Sequence, residues 1–250
     1  MQYIDIANEG VKSLSPYQAG KPIEELEREL GITNIIKLAS NENPFGFPES
    51  AKQAIINQLD QLTRYPDANG FELKAAVSKK FGVQPNQITL GNGSNDLLEL
   101  FAHTFANECD EIIYSQYAFI VYPLVTKAIN AVAREIPAKN WGHDLNAFEA
   151  AINDKTKLIF IANPNNPTGN FLTEEEIEAF LEKVPSHIIV VLDEAYTEFT
   201  KTEERVDSFG LLQKYPNLIV SRSLSKAYGL AGLRLGYAVS NPEIADLLNR

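Results

Sequence analysis

Lys226 stands in Ser221-Arg222-Ser223-Leu224-Ser225-Lys226-Ala227-Tyr228-Gly229-Leu230-Ala231-Gly232-Leu233-Arg234, which combines one amine, several hydroxyls and a guanidinium. A lysine amine condenses with aldehydes to Schiff bases when its surroundings lower its pKa. Ser223, Ser225 and Arg234 are donors of the kind a phosphate dianion requires. The same composition also suits a surface lysine in a Gly/Ala-rich loop.

Four further stretches have residue types with chemical potential. In Ile188-Ile189-Val190-Val191-Leu192-Asp193-Glu194-Ala195-Tyr196 an apolar run ends in a carboxylate, with a tyrosine three residues on. Asp193 there can hold a metal, cap a helix or pair with a ring nitrogen, and it can equally be a plain polar strand end. Ala162-Asn163-Pro164-Asn165-Asn166-Pro167-Thr168-Gly169 is a stiff non-helical loop that can present the Asn166 amide. Gly91-Asn92-Gly93-Ser94-Asn95 sits between a strand pattern and a helix pattern, where backbone N–H groups and the helix dipole favour an anion. Its spacing is neither a dinucleotide fingerprint nor a P-loop, and a tight turn explains it as well. Tyr117-Ala118-Phe119-Ile120-Val121-Tyr122-Pro123 offers an aromatic face for a flat ring, or simply core packing.

Each stretch alone is weak; together they form a set. A phosphate cradle, an amide, a carboxylate with a tyrosine, and a lysine with an arginine are the parts a site for pyridoxal 5′-phosphate (PLP) requires. A carboxylate against the pyridine nitrogen keeps it protonated, so the ring can accept the electrons of a carbanion. Asn166 and Asp193 are 27 residues apart, and Asp193 and Lys226 are 33 apart. Each gap accommodates a helix and the next strand.

The elements that must position these residues follow from apolar periodicity. Strands are expected at 35–38, 87–90, 111–114, 131–136, 158–161, 188–192, 218–221 and 235–239. Helices are expected at 48–59, 71–81, 95–105, 119–128, 145–152, 174–183 and 208–214. This alternation predicts an α/β domain with a largely parallel sheet, in which ligands sit beyond the carboxyl ends of the strands. The first forty residues read differently: an arm over 13–21, able to pack on its own chain or on a partner subunit, precedes a short helix closed by Gly31. Asn241-Pro242 opens a last helix, whose apolar stripe runs to Arg250 without a terminator, and a further domain is expected beyond it.

Composition narrows the function classes. The chain has 250 residues, 44% hydrophobic and 22% charged, as is ordinary for a globular protein. A net charge of −11 argues against nucleic-acid binding, which needs clustered Lys and Arg. No apolar run reaches membrane-spanning length, and the start lacks a secretory profile, so a cytoplasmic location is expected. Cys109 lies among acidic residues, without the positive neighbours a reactive thiolate needs, and reads as structural or incidental; His103, His143 and His187 share no metal-ligand spacing. No metal is expected.

Taken together these segments resemble the fold-type I PLP-dependent aminotransferases, in particular the members acting on histidinol phosphate, over nearly the whole chain from about Ser15. The stretches Ser15-Pro16-Tyr17-Gln18-Ala19-Gly20-Lys21, Lys37-Leu38-Ala39-Ser40-Asn41-Glu42-Asn43-Pro44-Phe45-Gly46 and Arg64-Tyr65-Pro66-Asp67 look like that group specifically. The resemblance implies the fold-type I large domain: α/β, a mostly parallel sheet flanked by helices, with an N-terminal arm. It divides the chain into arm and short helix (1–40) and PLP-binding domain (41–250). In relatives a C-terminal small domain of about a hundred residues follows, carrying the arginine that grips the substrate, and that domain is expected to lie beyond Arg250, outside this sequence.

By the same resemblance Lys226 is the Schiff-base lysine and proton shuttle, Asp193 pairs the pyridine nitrogen, and Asn166 and Tyr196 hold the phenolic oxygen. Phe119 stacks on the ring. Ser94, Asn95, Ser223, Ser225 and Arg234 bind the phosphate. Tyr65 reaches the phosphate of a neighbouring subunit, which implies a homodimer, and Tyr17 sits near the substrate. The implied reaction is amino transfer between a small-molecule donor and a 2-oxo acid, with histidinol phosphate and 2-oxoglutarate as the pair. Aromatic transamination, decarboxylation of a phosphorylated amino acid, and cofactor binding without turnover are the alternatives.

Overall fold

A computed structural model of the chain describes residues 2–15 and 20–250. Three helices come first: α1 (Glu9–Lys12), α2 (Ile23–Leu30) and α3 (Glu49–Gln58), none of which buries a residue. The α/β body follows with α4 (Phe71–Phe81), β1 (Ile88–Gly91), α5 (Ser94–Phe105), β2 (Glu111–Ser115), α6 (Val121–Ala128) and β3 (Val132–Ile136). It continues with α7 (Leu145–Ala151), β4 (Thr156–Ala162), α8 (Glu174–Leu181), β5 (Ile189–Asp193), α9 (Ser208–Lys214), β6 (Leu218–Ser223), β7 (Gly236–Ser240) and α10 (Pro242–Leu248). No helix among the described residues is long and apolar enough to cross a membrane.

Local signals explain the helix limits. Gly82 ends α4 in the left-handed region (φ +71°), its N–H bonded to Ser78 O at 2.8 Å, a conformation glycine adopts without a Cβ clash. Thr173 and Glu176 form a reciprocal capping box at the start of α8, and Asp207 caps α9 through Gly210 N. Asn241 caps α10 ahead of Pro242.

The seven strands lie in the order β1-β7-β6-β5-β4-β2-β3. Neighbours pair in parallel except β7, which is antiparallel to both β1 and β6. Side chains alternate across the sheet: Leu158 and Phe160 enter one core, Ile159 and Ile161 the other. Residues from α5, α6 and α10 fill the first core, and residues from α4, α7, α8 and α9 the second. Each fully buried large apolar side chain contributes about 1.5–3 kcal/mol, so these two layers hold the strand ends in register.

One expected strand does not form. Residues 35–38 are irregular, and Ile36 and Leu38 are 82% and 91% exposed. Apolar alternation makes a strand only where a neighbouring edge pairs with it, and no described strand runs alongside. The chain instead turns at Ser40 and Asn41, both at positive φ. A smaller difference is that α6 begins at Val121, not at 119, which leaves Phe119 on the turn before the helix.

Candidate active site

The parallel strands β4, β5 and β6 end on one side of the sheet, with Ala162 level with Asp193 and Asp193 level with Ser221. Antiparallel β7 starts on that same side, where Gly236 lies opposite both Ser223 and Gly91. Its reversed direction brings Arg234, two residues before the strand, to the side where β6 and β1 end. A cleft of about 520 Å³ opens there. Ser94, Asn95, Phe119, Asn166, Asp193, Tyr196, Ser223, Ser225, Lys226 and Arg234 all line it, so ten of the expected site residues come together.

At one end the donors are clustered. Ser94 and Asn95 open α5, where first-turn N–H groups lack intrahelical acceptors. Ser223 and Ser225 are buried, and Arg234 lies with Nη1 3.4 Å from Ser225 Oγ and Nη2 3.4 Å from Asn92 O. Gly93 makes that approach possible: it sits at φ +86°, and a Cβ on it would lie 2.3 Å from Arg234 Nη2.

At the other end is a buried carboxylate. Asp193 Oδ2 accepts from the Tyr122 hydroxyl at 2.9 Å, and Oδ1 accepts from Ser221 Oγ at 3.1 Å and Ala195 N at 3.3 Å. Burial pushes its pKa up from the ordinary carboxylate value, and those three donors oppose the shift. Between the ends, Asn166 Nδ2 and Asn41 Nδ2 both donate to the Tyr196 hydroxyl, at 3.3 and 3.1 Å. Lys226 Nζ donates to Ser40 O at 2.8 Å and lies 5.7 Å from the centre of the Tyr196 ring. Burial lowers the lysine pKa; the Arg234 charge lowers it further, and Glu42 pulls the other way.

This donor set fits PLP: cationic and hydroxyl donors for a phosphate, an amine for an aldehyde, an amide and a phenol for a ring oxygen, and a buried acceptor for a protonated ring nitrogen. Tyr65 is fully exposed on the chain's own surface, and Tyr17 falls outside the described residues. Of the residues set aside, His143 is buried with Nε2 2.8 Å from Ala162 O, and Cys109 is exposed.

Sequence reasoning missed Tyr122, Ser221, Ser40, Asn41 and Glu42 as parts of the site. Tyr122 had a signal, since it follows Phe119 at helical spacing. Ser40, Asn41 and Glu42 stood in a stretch that carried the resemblance without a role of their own, and their contacts, like that of Ser221 with Asp193, join positions far apart in the chain.

The aminotransferase class I and II family model matches residues 33–250. Histidinol-phosphate aminotransferase 2 of Haemophilus influenzae (strain 86-028NP) is 84% identical over 250 residues, covering 100% of this chain and 68% of that protein. Histidinol-phosphate aminotransferase 2 of Pasteurella multocida (strain Pm70) is 76% identical with the same coverage. Among solved structures, histidinol-phosphate aminotransferase from Sinorhizobium meliloti in complex with pyridoxal-5′-phosphate superposes with a TM-score of 0.87 at 28% identity, over 96% of this chain and 64% of that one. The chain thus spans about two thirds of the length of these relatives.

Proposed function

The chain belongs to the aminotransferase class I and II family, and from that premise we propose that it holds PLP on Lys226 and moves an amino group from histidinol phosphate to 2-oxoglutarate. The observation that carries this reading is the shared cleft: one amine and one buried carboxylate line a single cavity with an arginine–serine cradle. The high identity to relatives named for histidinol phosphate supports the choice of donor.

Ser94, Asn95, Ser223, Ser225 and Arg234 would hold the phosphate, and Phe119 would lie against the ring. Asp193 would hold a proton on the ring nitrogen, while Asn166 and Tyr196 hold the phenolic oxygen. When bound, the group supplies an electron sink for the pair left on the substrate carbon. Lys226 Nζ takes the proton from the substrate Cα as a general base and returns it as a general acid. A lysine pKa lowered by burial suits both duties, because each requires the other protonation state near neutral pH.

The remaining assignments rest on the same premise. Residues 1–40 serve as the arm with its short helix and 41–250 as the cofactor-binding domain, in a cytoplasmic enzyme. The enzyme is a homodimer in which Tyr65 reaches the partner's site. Exposed Ile36, Leu38, Phe45, Leu62 and Tyr65 support a covering partner, since so many large apolar side chains at the surface mark an interaction face.

The test is borohydride reduction of the PLP-treated protein followed by peptide mapping, with a donor screen that includes histidinol phosphate. A reduced adduct on Lys226 and 2-oxoglutarate-dependent turnover of histidinol phosphate are the expected results. An adduct on another lysine overturns the site. Carbon dioxide release without a keto product, or an adduct without turnover of any donor, overturns the reaction.

A further inference from the structure

Tyr122 has no role in the reaction outlined above, yet it is fully buried behind the cleft. Its ring stacks on Phe160 with centroids 4.7 Å apart and planes 3° apart. It meets Phe119 edge-on at 6.0 Å and 89°. Its hydroxyl donates to Asp193 Oδ2 at 2.9 Å. One side chain from α6 therefore touches both groups that would contact the cofactor ring, the aromatic face and the carboxylate. We propose that Tyr122 is a positioning residue that, by donating to Oδ2, holds the Asp193 carboxylate ionised and so keeps the shared proton on the cofactor's ring nitrogen. This rests on the PLP reading given above.

The physical case is a competition for one proton. A buried carboxylate gains basicity from desolvation, and a basic enough carboxylate takes the proton from the ring nitrogen and leaves the ring neutral. A hydroxyl that donates to the carboxylate stabilises its charged form and opposes that tendency. Burial and the Asp193 charge hold the Tyr122 hydroxyl well above the usual phenol range, so it stays a donor throughout the working pH range. The other groups facing Asp193 are the Ser221 hydroxyl from β6 and the Ala195 N–H from the turn after β5; Lys226, Arg234 and Tyr196 share the cleft. Tyr122 is the donor with the shortest contact, and it alone bonds Oδ2 among the hydrogen bonds described.

Tyr122→Phe removes the hydroxyl and keeps the ring on Phe160. Two readouts separate the coupling from the cofactor reading. In the cofactor-free protein, the carboxyl carbon signal of Asp193 followed by NMR should titrate at higher pH in Tyr122→Phe than in the parent. In the PLP-loaded protein, the absorbance midpoint of the lysine–cofactor linkage should rise by about half to one pH unit, because a ring that loses its proton withdraws less charge. Phe160→Leu, which removes the stack and keeps the hydroxyl, should lower thermal stability and leave that midpoint in place. If Tyr122→Phe does not fold, 3-fluorotyrosine introduced at position 122 makes a stronger donor, and the midpoint should then fall. An unchanged Asp193 titration with an unchanged midpoint overturns the proposal. A parent protein that forms no lysine linkage overturns the PLP reading instead and leaves the NMR result to decide the Tyr122–Asp193 coupling.

Discussion

Each of α4 to α10 and each of the seven strands buries at least one residue, whereas α1, α2 and α3 bury none. The later region is held by two apolar layers against one sheet. The earlier region reaches the cleft through polar contacts of its 40–43 segment: Ser40 O with Lys226, Asn41 with Tyr196, and Asn43 Nδ2 with Ala227 O at 3.0 Å. A net hydrogen bond contributes about 0.5–1.5 kcal/mol, less than one well-buried core side chain. The body therefore sets the shape of the cleft, and the early segment is the part free to respond to what fills it.

Substitutions can break that contrast at its most sensitive point first. Lys226→Ala should reduce half-transamination by roughly a thousandfold or more, on the scale of a lost general acid–base, while the melting temperature stays near the parent value. A preserved rate would remove Lys226 from the chemistry. Phe160→Ala, in the middle of β4, should destabilise the body by about 3–5 kcal/mol in denaturant unfolding. A cost under about 1 kcal/mol would mean the core does not hold the strand ends as described.

Smaller effects sharpen the same contrast. Gly93→Ala should weaken PLP binding about tenfold, because the new Cβ displaces the Arg234 guanidinium; unaltered affinity in a titration would separate Arg234 from the phosphate. Glu111 is buried, and bonds from Arg134 at 2.6 and 2.7 Å, with Asn153 at 2.7 Å, hold its carboxyl below the usual range. A folded pKa below the unfolded value means the stabilisation is complete above about 4.5 and is lost as pH falls through the folded value. The thermal advantage of the parent over Glu111→Gln should accordingly shrink as a melting series moves down from neutral pH toward pH 3. Leu38→Ala, in the early region, should stay within about 0.5 kcal/mol of the parent in the isolated chain. A larger cost would show that this region has a core of its own.

The helices at 71–81 and 208–214 match the sequence expectation residue for residue, because glycine and aspartate mark their ends locally. The strands that matter for the site were readable as apolar runs, and ten expected residues meet in one cleft because nine of them end or follow such a strand or open the next helix, while Arg234 leads into β7. The miss at 35–38 has the converse cause: alternation there is real, but pairing is not a local property.

The chain's own pattern of apolar runs, glycines and caps determined which segments become strands and helices, and so which chemical groups sit at strand ends. Tertiary structure alone decided that β7 runs against its neighbours and brings Arg234 into the cleft, and that Tyr122 bonds Asp193 from 71 residues away. It also decided that Ser40 and Asn41 reach Lys226 and Tyr196. Capping and periodicity act within a turn or two of helix and leave local traces. Contacts between distant segments depend on how whole layers pack, and a single sequence carries no marker of that.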